Sequence, residues 1–137
     1  MERVDIAKRF FINDHFAMQT TGIDIVDVGD HYSKASLKIS GSILNGAGKV
    51  MGGAIFTLAD FSFAVASNQL NEKSEVIEKT VTANSSITFL SPAKGDTLLS
   101  ECRLIKDGRT TCTYEIKVTD NLGTQVALVI ANGMKLC

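Results

Sequence analysis

The segment MGGAIFTLADFSFAVASN, residues 51–68, limits what this chain can fold into more than any other stretch. After a glycine pair, Ile55, Phe56, Leu58, Ala59, Phe61, Phe63, Ala64, Val65 and Ala66 occupy every side of a helical wheel. A helix of that pattern is stable only when it is covered nearly all round. One flat sheet covers one side, so the rest of the chain is expected to curl about it. Inside the apolar run stands a single carboxylate, Asp60. Burying an unpaired carboxylate is costly, so Asp60 either faces a cleft or is compensated at a subunit seam, by backbone or by its neighbours Thr57 and Ser62.

The flanking sequence supplies the cover. Residues 2–18, ERVDIAKRFFINDHFAM, carry Val4, Ile6, Phe10, Phe11 and Phe16 at roughly helical spacing and predict a short amphipathic helix. GIDIVDVGDHYSKASLKIS alternates apolar and polar residues around VGDH, the pattern of two strands and a tight turn. After the loop GSILNGAGKV and the apolar helix come TVTANSSITFL, DTLLSECRLIK, RTTCTYEIKVTD and GTQVALVIANGMKL, rich in β-branched residues. They are parted by SPAKG, KDGR and DNLG, and Asp107-Gly108 is a strong hairpin signal. The expectation is an α+β domain over residues 1–137: a helix, two strands, the central helix, and an antiparallel meander of about four strands. There is no repeat or linker, and Pro92 is the only proline. With 137 residues, 45% of them hydrophobic, one core is affordable.

Composition narrows the function. A formal charge of −1 gives no broad basic field, so a small ligand or a protein partner is expected rather than nucleic acid. Cys102, Cys112 and Cys137 are odd in number, lack a C-x-x-C spacing, and lie far in sequence from His15 and His31. Neither a disulfide framework nor a metal site is expected, and the two histidines read as structural or surface residues. The longest apolar run is short for a membrane span and holds Asp60, and MERVDIAKRF is charged from its second residue, unlike a signal peptide. A cytoplasmic protein without a membrane partner is the expectation.

Three fragments in order carry a family resemblance. They are N-x-x-G-x-x-x-G-G-x-x-x-T-L-A-D from Asn45 to Asp60, ITFLSPAKGD from Ile87 to Asp96, and DGR from Asp107 to Arg109. Together they resemble the hotdog-fold acyl-CoA thioesterases of the phenylacetate-pathway type, over the chain from about Asp14 onward. The resemblance implies a hotdog fold, a curved antiparallel sheet wrapped around a long central helix. It also implies hydrolysis of a small-to-medium or aromatic acyl-CoA to free acid and coenzyme A. Coenzyme A enters as part of the substrate, with no separate cofactor. Hotdog subunits of that type join their sheets edge to edge, often as dimers of dimers, which implies a homodimer or a homotetramer. The family segment usually reads His-Gly-Gly where this chain has Met51-Gly52-Gly53.

The residues themselves suggest a mechanism. The first N–H groups of a helix have no partner inside it and sit at the positive end of its dipole, so Gly52 and Gly53 can hold a developing oxyanion. Asp60 serves either as a general base for water or as a nucleophile that forms a mixed anhydride. Eight residues separate Gly52 from Asp60, about 12 Å along a helix at ~1.5 Å per residue. One helix cannot bring both to one carbonyl, so the aspartate is expected from a second, two-fold-related subunit. Asn45 either orients water or thioester, or makes an Asx-type turn with Gly46. By the resemblance, Thr82 places a hydroxyl beside Asp60. Lys94, Lys106 and Arg109 flank turns and offer cations to the phosphates of coenzyme A. Met51, a flexible thioether in place of the usual histidine, bears on substrate preference. Phe56, Phe61 and Phe63 line an acyl pocket or fill the core. Two rivals are a non-catalytic acyl-CoA-binding hotdog protein and a hotdog dehydratase, the latter needing a histidine near the helix.

Overall fold

The computed structural model describes residues 2–136, so Cys137 lies outside the described residues. Helix α1 is Arg3–Phe11, and a π-helical turn follows at Phe16–Thr21. The single helix expected to residue 18 is therefore two pieces. The break has a local cause: the Asn13 side-chain amide and the Asp14 N–H take the carbonyls of Phe10 and Phe11 and end α1. The π turn closes at Gly22, whose left-handed φ of 84° suits glycine.

Strands β1 (Asp24–Gly29) and β2 (Tyr32–Lys38) form the expected hairpin. A 3₁₀ turn at Gly41–Ile43 leads into the loop before α2 (Gly52–Ser67). Strands β3 (Gln69–Leu70), β4 (Val76–Phe89), β5 (Thr97–Asp107), β6 (Thr111–Asp120) and β7 (Gln125–Leu136) complete the chain. The sheet order is β1-β2-β5-β6-β7-β4-β3, antiparallel throughout. This corrects the plain meander: β4 pairs with β7, and residues 90–96 carry the chain across to β5.

The sheet curls around α2, which touches every strand except the two-residue β3 by more than a passing contact. Leu58, Ala59, Phe61 and Phe63 of the helix are fully buried. Phe63 packs edge-on against Tyr114, with centroids 5.3 Å apart, and Phe61 against Phe11 at 5.5 Å. At Gly133 the sheet comes closest to the helix: a Cβ there would stand 2.7 Å from the Phe63 ring and from the Thr80 methyl. Only glycine fits that approach. Alternation along β2 and β6 sends Ser33, Ala35 and Leu37, and Cys112, Tyr114, Ile116 and Val118, to the same interior.

Buried Asp120 pins the crossover. Its Oδ2 accepts N–H bonds from Lys94 and Gly95, and its Oδ1 accepts those of Leu122 and Thr124, so one carboxylate ties residues 94–95 to the β6–β7 turn. Burial alone would raise its pKa, but the donated N–H groups hold the carboxyl far below the usual range.

Two surfaces stay open. Beyond Glu78, β4 has no strand on its outer edge among the described residues, and Val81 and Phe89 are exposed along it. Along α2, Gly53, Phe56, Thr57, Asp60 and Ala64 are half-buried or exposed and share one helical face. The all-round cover expected for this helix therefore fails along one stripe, and Asp60 stands in it. Among the described residues, no helix is long and apolar enough to cross a membrane.

Candidate functional site

The loop before α2 is built on Asn45. Its Oδ1 accepts the N–H groups of Ala47 (2.9 Å) and Lys49 (3.1 Å), and its own N–H reaches the Lys49 carbonyl at 2.7 Å. A bridge between Leu44 and Val50 closes the loop, and Gly48 takes the left-handed φ of 76° that its tip requires. The oxygen of Asn45 thus makes an Asx-type turn, with Ala47 and Lys49 as donors. Its amide NH₂ has no partner among the described residues, so it is free to donate outward.

Met51 caps α2 in an extended conformation, and its carbonyl accepts the N–H groups of Ala54 and Ile55. It offers no side-chain cap. The N–H groups of Gly52 and Gly53 therefore find no acceptor among the described residues, an open helix N-terminus. The two glycines differ in why they are small. A Cβ on Gly52 would stand 3.0 Å from the Phe89 ring, whereas at Gly53 nothing lies within 4 Å. Lys49, Val50, Gly52, Ile55, Phe89, Leu90, Ser91 and Pro92 line a cleft of about 390 Å³ at this helix start. Sequence reading missed Phe89 as a wall of the site; the signal was its place in the Ile87–Asp96 fragment. Met51 is exposed beside the cleft.

Asp60 opens elsewhere. The Thr82 hydroxyl donates to its Oδ1 at 3.2 Å, next to a β-bulge between Thr82 and Asn84. Thr57 and Ser62 instead donate to the carbonyls of Gly53 and Leu58. Neither compensates the aspartate, which is only half-buried. Asp60 lines a second cleft of about 310 Å³ with Asp14, His15, Phe16, Thr57 and Phe61 among its walls. Burial raises the pKa of Asp14, and the charge of His15 pulls it part way back. Gly52 and Asp60 of one chain thus serve two clefts, as the ~12 Å between them along the helix requires.

The three cations fall into two groups. Strands β5 and β6 run from Leu98 opposite Asp120 at one end to Asp107 opposite Cys112 at the other. Lys94, whose backbone N–H binds Asp120, stands at the first end, near the Gly52 cleft that Pro92 lines. Lys106 and Arg109 stand at the second end, roughly 30 Å of strand away. There the register runs Thr82, Gly133, Cys112, Asp107 across β4, β7, β6 and β5, so this hairpin is at the level of Asp60. Within one chain the cations form no single phosphate patch. Phe61 and Phe63 belong to the core, and Phe56 is half-buried on the open stripe.

The description "Thioesterase superfamily" belongs to the family model that matches residues 47–127. Acyl-coenzyme A thioesterase PaaI of Escherichia coli K12 is 30% identical over 123 residues, 89% of this chain and 83% of that protein. The solved structure of the E. coli PaaI protein from the phenylacetic acid degradation operon superposes with a TM-score of 0.82 at 24% identity, covering 99% of this chain and 97% of that one. Streptococcus mutans smu.793, solved bound to acetyl CoA, is 31% identical with a TM-score of 0.73, covering 83% and 88%. Helix, curled sheet and sequence agree: this chain belongs to the thioesterase superfamily as a hotdog-fold thioester hydrolase of the PaaI type.

Proposed function

We propose that the chain hydrolyses a small-to-medium or aromatic acyl-CoA in a site shared by two copies of itself. The observation that carries this reading is the division of one helix between two clefts: oxyanion donors at Gly52 and Gly53, a carboxylate at Asp60 too far along to serve them. A second copy set against the open stripe of α2 and the bare edge of β4 supplies the missing half, and a two-fold axis makes two equal sites. The same pairing explains the cations. Lys94 lies near the Gly52 cleft and Arg109 at the level of Asp60, so a site made of Gly52 from one copy and Asp60 from the other gathers Lys94 of the first with Lys106 and Arg109 of the second.

In this site the thioester oxygen accepts the N–H of Gly52, with Gly53 beside it, and the helix dipole stabilises charge as it develops. Asp60, oriented by Thr82, takes a proton from water as the water oxygen bonds to the carbonyl carbon. The tetrahedral intermediate expels coenzyme A as thiolate, which recovers the proton as free thiol, and the acid leaves. If Asp60 attacks directly, a mixed anhydride forms, and water then cleaves it to the same products. Asn45 directs its free amide NH₂ at the thioester or the water. Ile55, Phe89 and Leu90 receive the acyl group, Met51 borders it, and dimers of dimers form the tetramer. The protein works in the cytoplasm and needs no cofactor.

The test is a hydrolysis screen over short, medium, long and aromatic acyl-CoAs, read as free thiol. Turnover concentrated on short-to-medium or aromatic substrates supports the reading. Saturable acyl-CoA binding without thiol release would place the chain with non-catalytic binders instead.

A further inference from the structure

At the far end of the half-barrel from the helix start, three metal-ligating side chains meet that lie far apart in sequence. His31 comes from the β1–β2 turn, Glu78 from β4 and Asp107 from the end of β5, and their ligand atoms all lie within 4.8 Å of one another. The histidine is held in place on its inner side. It is half-buried, and its Nδ1 is 2.8 Å from the hydroxyl of Tyr114, whose ring is fully buried against Phe63. The Tyr114 hydroxyl can accept from or donate to Nδ1, and in the Nδ1–H tautomer Nε2 keeps its lone pair for a second partner. Glu78 is half-buried, and its side chain takes no hydrogen bond or ion pair among the described residues. Asp107 pairs with Lys135, Oδ1 to Nζ, at 2.5 Å. Two carboxylates therefore share one ammonium, and one negative charge beside the imidazole is left unmatched.

We propose that His31, Glu78 and Asp107 form a binding site for a divalent transition cation that takes no ligand from the catalytic carboxylate and ties the β1–β2 turn to β4 and β5. One imidazole and two carboxylates are the donor set that zinc and its first-row neighbours accept, and the imidazole sets them apart from calcium and magnesium, which prefer oxygen alone. Donors held about 2.1 Å from a tetrahedral cation stand about 3.4 Å apart, so side chains now within 4.8 Å of one another must close by up to about 1.4 Å through rotation. Asp107 keeps Oδ2 for the cation, while Lys135 competes for the same carboxylate. Glu78 lies four residues before Thr82 on β4, about 13 Å along the strand, so Asp60 stands outside the ligand set, while Asp107, between Lys106 and Arg109 in sequence, brings the cation up to the proposed phosphate contacts.

The test is calorimetric titration of the metal-free full chain with ZnCl₂, MnCl₂ and CaCl₂, together with the absorption spectrum of the Co²⁺ form. One saturable Zn²⁺ site per chain is expected, with weaker Mn²⁺ and no Ca²⁺ binding, and a cobalt spectrum lacking thiolate charge transfer. Glu78→Gln, a change at a partnerless glutamate that leaves the fold intact, should weaken Zn²⁺ at least tenfold, and His31→Gln should do the same. Lys135→Met should tighten it several-fold by removing the rival cation. Absence of saturable Zn²⁺ binding, Ca²⁺ binding as tight as Zn²⁺, or Zn²⁺ affinity unmoved by both Glu78→Gln and His31→Gln would each overturn the site. Zn²⁺ binding is read by heat and by the cobalt spectrum in the absence of acyl-CoA, so this result and the hydrolysis screen fail independently.

Discussion

Asp60 accepts a hydrogen bond from the hydroxyl of Thr82, 22 residues further on and 3.2 Å away, across the gap between α2 and β4. The bond fixes one carboxylate oxygen and leaves the other for water or thioester. Asp60→Asn keeps the shape and removes the charge, so kcat should fall by about 10²-fold or more while acyl-CoA binding stays within a few-fold. Thr82→Val removes only the orienting bond. A net hydrogen bond of about 1 kcal/mol corresponds to a roughly fivefold loss in kcat at unchanged KM, restored by Thr82→Ser. Steady-state thiol release decides both; wild-type turnover in Asp60→Asn would end the catalytic assignment.

The shared site makes a prediction about mixtures. An Asn45→Ala chain paired with an Asp60→Asn chain has one doubly damaged site and one intact site. After co-refolding equal amounts, half the dimers are hybrids with half their sites whole, so activity should return to about a quarter of wild type if sites act independently. Native mass spectrometry confirms the hybrids. Hybrids that stay as inactive as the parent homodimers would refute sharing.

In the proposed shared site, cations at opposite ends of β5 and β6 meet one substrate across two chains. Arg109→Ala and Lys94→Ala should each raise KM for acyl-CoA several-fold at low salt with kcat nearly unchanged, because a phosphate contact is made equally in ground and transition states. Added salt should narrow the difference from wild type. Initial-rate kinetics at two ionic strengths measure it, and an unmoved KM removes that residue from the site.

Asp120 supplies a stability prediction with a definite pH sign. An asparagine can accept on one side only, so Asp120→Asn turns two of the four N–H groups toward a donor and should lower the thermal midpoint by several degrees. The wild-type carboxyl titrates far below its ordinary range; the unfolded chain titrates near 3.9. Its stabilisation is therefore complete above about pH 5 and is lost as pH falls below the unfolded value toward the folded one. The gap between wild type and variant should shrink steadily from pH 5 to pH 2. Melting curves across that range check it, and a constant gap would mean the carboxylate charge is irrelevant.

Local pattern made the elements legible and left their partners obscure. Residues 51–68 announced a central helix because apolar density on a wheel is a local quantity, and Asp107-Gly108 announced a hairpin because turn chemistry is local as well. Pairing of β4 with β7 is not local; β4 lies next to β5 in sequence and across the sheet from it in space. The open stripe of α2 follows from that topology, since the sheet stops beside β4 and leaves Asp60 uncovered. Of the candidate site, the order of Asn45, Gly52 and Asp60 was readable from motif spacing, whereas Thr82 beside Asp60 came only with the family resemblance. The split of the cations was hidden because it depends on strand register. His31 was set aside for the same reason: its partners at 78 and 107 belong to elements that only the closed sheet brings together.

The placement of β7 between β6 and β4 also governs how the chain comes into being. β4 emerges from the ribosome well before β7, the strand that will pair along its inner edge, and meanwhile the N–H and C=O groups of that edge have no partner strand. Helix α2 is likewise synthesised before most of the sheet that must enclose it. The nascent chain therefore carries an unpaired strand edge and an uncovered apolar helix until β7 is made, and its folding is a late, concerted closure rather than a progressive one.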